Sequence, residues 1–401
     1  MRVRFLGRWT KHGDLWTLFF LHGLALGVWF VPLSTVLDAH GYTAIKPYAF
    51  ATSAVAAFIT PLLFGAMADR HLGPVRVLRL LSIATAVAMA LAATAIHLRW
   101  TAGVVLALIQ LHALFSTPTW SISSSIVFSQ LTDSKREFGP IRAVGTIGWV
   151  VGCLLVSVAQ ADSSGLAAYG GSVAWLLLAW FTATLPQVAP PRNLERLTWR
   201  QRFGLDALTL FRNPDHRVVF ITSALFSIPL AAFYPFTPTH LKALGLERTS
   251  AWMSIGQITE VIAMVGLAGI LTRFRLKWVF ATGLACGTVR YLLCALDTRT
   301  GLLFGIFLHG FAFTLFYITA QLYLDERIDP AWRARAQALM SLMNAGVGNL
   351  IGYLACGWWL AACTATDGVT RWSLFWTALA AVVGAVLAYF LVRYRGRAHH
   401  I

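Results

Sequence analysis

Twelve apolar runs separated by short polar breaks organise the chain. They cover roughly residues 15–37, 44–66, 75–97, 101–128, 138–160, 169–187, 217–240, 250–272, 277–296, 300–324, 335–361 and 372–392. A helix crosses the hydrocarbon of a bilayer in roughly 20 residues, so most runs are long enough to span once. Six runs precede the only long polar segment and six follow it. The pattern predicts an all-α membrane protein with twelve transmembrane helices in two six-helix halves. Residues 1–187 form the first half, 188–216 a cytoplasmic linker, and 217–401 the second half. Such a duplicated layout is typical of secondary transporters.

The linker region holds Pro190-Pro191 and a cluster of arginines, and its stretch from Trp199 to Phe211 reads as a short amphipathic surface helix. Glycines recur at close spacing in the fifth run (Gly145, Gly148, Gly152) and the eleventh (Gly346, Gly348, Gly352). Small residues so spaced let helices approach closely.

Composition supports the bilayer as solvent. Hydrophobic residues make up 58% of the 401 and charged residues 12%, whereas a soluble domain carries about 25% charged residues. The net charge of +16 resides in short loops and lacks interleaved aromatics. It therefore signals topology and attraction to anionic membrane lipids, and argues against nucleic acid as a partner. With the N-terminus inside, 24 of the 32 Lys and Arg fall on inner segments. Six fall outside: Lys46, Arg99, Lys242, Arg248, Arg299 and Arg371. This bias predicts a multi-pass protein of the plasma (inner) membrane with both termini cytoplasmic. The first run is too long for a signal peptide and lacks its cleavage site, so it reads as the first spanning helix. The five cysteines form no CxxC pair, which argues against a disulfide framework and a metal site. No Walker, HExxH or GxSxG sequence occurs. The chain thus reads as neither an enzyme nor an ATP-driven pump, and calls for no cofactor.

Several polar residues interrupt the runs. Arg142, Thr146 and Trp149 in the fifth run are spaced i, i+4, i+7 and share a helix face. They offer a cation, a hydroxyl and a stacking ring, which suits a polar solute with an aromatic base. Arg142 is also close enough to the cytoplasmic end to snorkel. Gln257 and Glu260 share a face of the eighth run, and Glu260 is the acidic residue deep inside an apolar run. A carboxyl removed from water favours its neutral form, which suits a group that loads and releases a proton. A structural ion pair with Arg290 of the ninth run is the other reading. His309 and Phe313 lie on the tenth run. His22 and His112 read as hydrogen-bonded helix histidines, and Asn344 and Asn349 as bonds between helices. Trp9, Trp100, Trp278 and Trp372 stand near run ends, as interfacial tryptophans do.

After the second run stands Gly65-Ala-Met-Ala-Asp69-Arg70-His-Leu-Gly73-Pro-Val-Arg76. It resembles the signature between the second and third helices of the major facilitator superfamily. That resemblance implies the major facilitator fold, with Gly65, Asp69, Arg70 and Arg76 in a cytoplasmic gate. The corresponding place after the eighth run, Gly269-x-x-x-Arg273, is a degraded copy at best.

The segment Pro140-Ile-Arg142-Ala-Val-Gly145-Thr146-Ile-Gly148-Trp149 is similar to one in the nucleoside:proton symporter family of that superfamily. Trp29-Phe-Val-Pro32-Leu and the stretch from Tyr323 to Gln337 also resemble that family. The resemblance implies substrate contacts at Arg142, Thr146, Trp149, Gln257, Glu260, His309 and Phe313, with Glu260 as the proton-coupling residue. Two regions depart from it. His309 stands where the family has a tyrosine and Thr314 where it has an aspartate. The Gln and Asn expected in the seventh helix give way to the segment Ala231–Tyr234.

These readings converge on a secondary active transporter that moves a small polar solute by alternating access, with proton-coupled nucleoside uptake as the favoured activity. Symport of an aromatic carboxylate or sugar, and efflux of amphipathic compounds, are the alternatives within the class. A membrane-embedded transferase or a non-transporting receptor are those outside it. The expected partners are a small-molecule substrate, protons and lipid, and analogy of fold points to a monomer.

Overall fold

The computed structural model of the protein describes residues 13–68, 73–132, 134–186 and 198–396, except the side chains of 62–68 and 134–136. The described residues of the first six runs form α1 (Gly13–Ala39), α2 (Lys46–Ala68), α3 (Pro74–His97), α4 (Ala102–Phe128), α5 (Ser134–Val158) and α6 (Leu166–Phe181). The last six form α7 (Pro214–Ala243), α8 (Thr249–Arg273), α9 (Leu276–Ala295), α10 (Arg299–Arg327), α11 (Pro330–Cys363) and α12 (Trp372–Arg393). Ten helices among the described residues are long and apolar enough to cross a membrane. The other two are α2, whose C-terminal side chains are not described, and α6, which is apolar but has only 16 residues. The element order is that of a twelve-helix major facilitator fold.

Proline breaks or ends the regular backbone at recurring places. The α1 helix is interrupted at Val31-Pro32 and α4 at Thr117-Pro118, each followed by a fresh helical segment. Pro214 and Pro330 open α7 and α11 at the first helical position, where a missing N–H costs nothing. The side chains before them, Asn213 and Asp329, accept from first-turn amides that have no partner within the helix. Side chains such as Val158, Val265 and Val392 are 75–80% exposed on helix flanks. Such apolar exposure is stable against lipid chains.

The chain divides into two compact units. One comprises Met1–Ile45 and Ile59–Arg196, the other Lys46–Phe58 and Leu197–Ile401. In the first unit α1 lies along α5. Glycine permits this: a Cβ at Gly23 would overlap the Gly145 carbonyl, and one at Gly148 would overlap that of Phe20. The glycine spacing in the fifth run therefore does serve close approach. Arg79 of α3 donates to the Thr182 hydroxyl and carbonyl, at 3.0 and 2.9 Å, and so caps the end of α6.

In the second unit α9 packs on α10 and α12, and α8 on α10. Gly310 of α10 sits where any side chain would strike the Glu260 amide. Lys46 is buried in this unit and donates to the Thr239 hydroxyl at 2.8 Å.

Three local features differ from the sequence pattern. The stretch from Trp199 is not one amphipathic helix. A four-residue helix, Trp199–Arg202, is followed by Gly204 at φ +66° and a 3-10 segment, Leu205–Arg212. A side chain at Gly204 would collide with the Arg335 carbonyl, so the turn is fixed by packing against α11. Both α10 and α11 contain π turns, at Thr314–Ile318 and Leu342–Gly348. Trp372, at the start of α12, is buried within the protein, with its ring 4.4 Å from that of His240. Trp100 and Trp278 are exposed, as expected, and Trp9 lies outside the described residues.

Candidate functional site

In the first unit the continuous helix α5 carries Arg142, Thr146 and Trp149 on one face. Arg142 and Trp149 are half-buried and Thr146 is buried. The Arg142 guanidinium lies 4.5 Å from the centre of the Trp120 ring. Trp120 is on α4, just beyond the Pro118 break. Phe19 meets the same ring edge-on at 5.2 Å. The Trp149 ring meets that of Phe30 at 6.0 Å. Arg142 is thus held over an aromatic face.

His22 lies behind this arrangement, its ring 4.9 Å from that of Trp120. Its protonation pattern follows from its partners. The Thr119 hydroxyl donates to the Ser116 carbonyl, so it can only accept from His22 Nε2 at 2.9 Å. His22 Nδ1 then accepts from the Ser123 hydroxyl at 3.0 Å. Both ring nitrogens are engaged, which bears out the structural reading of this histidine. His112 packs edge-on against Trp29 at 5.9 Å, and its Nε2 has no hydrogen-bond partner among the described residues.

In the second unit Gln257, Glu260, His309 and Phe313 meet where α8 crosses α10. Gln257 is buried, and its amide donates to the Tyr234 hydroxyl at 2.9 Å, leaving Oε1 without a hydrogen-bond partner among the described residues. Glu260 is half-buried, and its peptide carbonyl accepts from the Thr314 hydroxyl at 3.4 Å. His309 is buried, stacked on Phe233 at 3.8 Å, with Phe313 on the same aromatic run at 6.3 Å. Arg290, the alternative partner for Glu260, directs Nη1 to His309 Nδ1 at 2.6 Å. The π turn of α10 begins at Thr314, directly after Phe313. Such turns often mark functional positions in helices.

Each unit therefore gathers its share of the predicted residues. The sequence reading missed the residues that support them. Trp120 was one tryptophan among sixteen, and its proximity to Arg142 depends on α4 packing. Phe233 and Tyr234 occupy the region where the expected Gln and Asn are missing. Of the gate residues, Gly65 lies in α2, Asp69 and Arg70 lie outside the described residues, and Arg76 is exposed in the first turn of α3.

The described residues contain no cluster of three or more His, Cys, Asp or Glu suited to a metal ion. The chemistry of these residues is that of binding: cations on aromatic faces, amides, one acid and stacked rings. A sequence model of the nucleoside H+ symporter family matches residues 12–399.

The chain belongs to the nucleoside H+ symporter family.

Its relatives agree. It is 32% identical to the "Putative nucleoside transporter YegT" of Escherichia coli (strain K12), over 94% of this chain and 92% of that one. It is 27% identical to the xanthosine permease of the same organism, over 94% of each. Among solved structures it resembles the nucleoside transporter NupG, with a TM-score of 0.84 and 25% identity over 96% of this chain and 99% of that one. This member of the family is a multi-pass membrane transporter of small molecules and protons, not an enzyme.

Proposed function

We propose that the protein takes up nucleosides in symport with protons, and that it does so as a monomer in the inner membrane with both termini cytoplasmic. The observation that carries the reading is the family match over 12–399, which includes every candidate site residue in either unit. The local chemistry supports it. A nucleoside presents a flat base and several hydroxyls. Arg142, Thr146 and Trp149 offer charge, hydroxyl and ring in one unit, and Gln257, His309 and Phe313 offer amide, imidazole and ring in the other.

In this reading residues 1–187 and 217–401 act as the two moving halves, joined by 188–216. They expose the substrate to each side in turn. The Gly65, Asp69, Arg70 and Arg76 motif holds the cytoplasmic side closed and releases it on switching. Glu260 carries the proton. A bare carboxylate is costly in a desolvated site, so the half-cycle with substrate bound proceeds with Glu260 protonated. Release of the proton on the inner side then couples substrate entry to the gradient.

Equilibrium binding of uridine, adenosine and xanthosine to the purified protein tests the substrate class. Binding of at least one, weakened by Arg142→Ala, is the expected result. No binding of any of the three would overturn the nucleoside reading and leave the transporter fold intact.

A further inference from the structure

We propose that Arg290 is a positioning residue that fixes the single ring proton of His309 at Nε2, so that His309 faces the substrate as a hydrogen-bond donor only. The role of His309 toward substrate rests on the nucleoside reading; the assignment of its proton does not.

Arg290 of α9 is 1% exposed. Its guanidinium is bracketed by two rings, 4.8 Å from that of Phe233 and 4.5 Å from that of Tyr291. These contacts leave it little freedom. Its Nη1 lies 2.6 Å from His309 Nδ1. A guanidinium has donors and no acceptor. Nδ1 must therefore accept with its lone pair and carry no proton, which puts the proton of the neutral ring at Nε2.

The ring cannot easily turn over to undo this. Phe233 stacks on it at 3.8 Å and 11°. On another side Gly256 of α8 packs so near that an added Cβ would lie 3.3 Å from His309 Cδ2. Phe233 braces both partners: it stacks on the imidazole and faces the guanidinium. The three residues come from three helices, α7, α9 and α10, so the arrangement is a tertiary device and not a local one.

The consequence is chemical selectivity. A free imidazole offers one donor and one acceptor and can exchange them. Here Nδ1 is committed to Arg290, and no described residue accepts from Nε2. A substrate atom placed there must bring a lone pair: a carbonyl oxygen, a ring nitrogen or a hydroxyl oxygen. A group that presents only hydrogens meets a donor and is disfavoured. The tyrosine that the family resemblance places here has a hydroxyl that can both donate and accept. The histidine–arginine pair removes that choice.

The assignment is tested by 15N NMR of protein labelled at histidine, with the His309 signals identified by their loss in His309→Phe. The expected spectrum without substrate has a proton at Nε2 and none at Nδ1. In Arg290→Met the tautomer should become mixed, and the KM for nucleoside should rise several-fold with little change in maximal rate. Arg290→Lys, which keeps a donor, should restore the single tautomer. A purely structural role would lower the amount of folded protein without moving the tautomer or KM. A proton on Nδ1 in the wild type, or an unaltered tautomer in Arg290→Met, would overturn the proposal. If Arg290→Met fails to fold, a proton on Nδ1 in the wild type would still overturn the proposal. If nucleosides fail to bind while the tautomer is as expected, the substrate reading falls and the assignment of Arg290 stands.

Discussion

The Arg142 guanidinium sits over the face of Trp120, 4.5 Å from its ring centre. A cation over indole gains about 0.5–2 kcal/mol, more where water is excluded. The pairing also sets the direction in which Arg142 presents its N–H groups. Replacing Trp120 by Ala should raise the KM for substrate by about two- to thirty-fold, while Trp120→Phe should recover much of the loss. Arg142→Lys should not substitute for the wild type, because an ammonium lacks the planar face that lies on the ring. Radiolabelled substrate uptake by the three variants checks this.

Glu260 is expected to separate transport from coupling. Glu260→Gln should abolish accumulation driven by a pH gradient yet retain part of the exchange of labelled for unlabelled substrate. Exchange and gradient-driven accumulation measured on the same proteoliposomes provide the test. Loss of neither would remove Glu260 from the proton path.

The contact between α1 and α5 carries the face that holds Arg142. At Gly148 an added Cβ would collide with the Phe20 carbonyl and come within 3.0 Å of the Leu24 amide. Backbone cannot yield there without separating the helices. Gly148→Val should therefore lower the melting temperature in detergent markedly and reduce substrate binding. Gly103→Ala is a control, because its Cβ would meet nothing within 4 Å.

Another buried histidine, His240, is fixed in the same tautomer as His309, with a carboxylate as the acceptor of its proton. The Trp376 indole N–H donates to His240 Nδ1 at 2.9 Å, so His240 Nε2 donates to Asp297 at 2.7 Å. Asp297 lies in the turn between α9 and α10, at φ +54°. Asp297→Ala should leave the histidine donor without its partner and lower thermal stability by an amount of order 1–3 kcal/mol. Asp297→Asn keeps an acceptor and tolerates the left-handed turn, so it should lose less. Thermal unfolding of the two variants distinguishes them.

Much of this was legible in the chain because helices convert sequence spacing into faces. Arg142, Thr146 and Trp149 fall on one side of α5 by arithmetic, and Gln257 with Glu260 on one side of α8. Glycine spacing marked α5 as a helix that a neighbour approaches closely, without saying that the neighbour is α1. What spacing could not show was any relationship between helices. Trp120 under Arg142 and Arg290 behind His309 depend on how α4 meets α5 and how α9 meets α10. The turns were also hidden. The break at Gly204 and the π turn at Thr314 arise from packing and hydrogen-bond slippage, which hydrophobic periodicity does not encode. Trp372 stands at a helix end, as its place in the run implied, but spacing did not show that its ring turns inward onto His240.

Proton-driven nucleoside uptake can be measured with purified protein in liposomes loaded at neutral pH and diluted into acidic buffer with labelled uridine or adenosine. Proton symport should give accumulation above the external concentration, collapsed by a protonophore and absent in Arg142→Ala and Glu260→Gln. Uptake that only equilibrates, and that the gradient does not change, would contradict it.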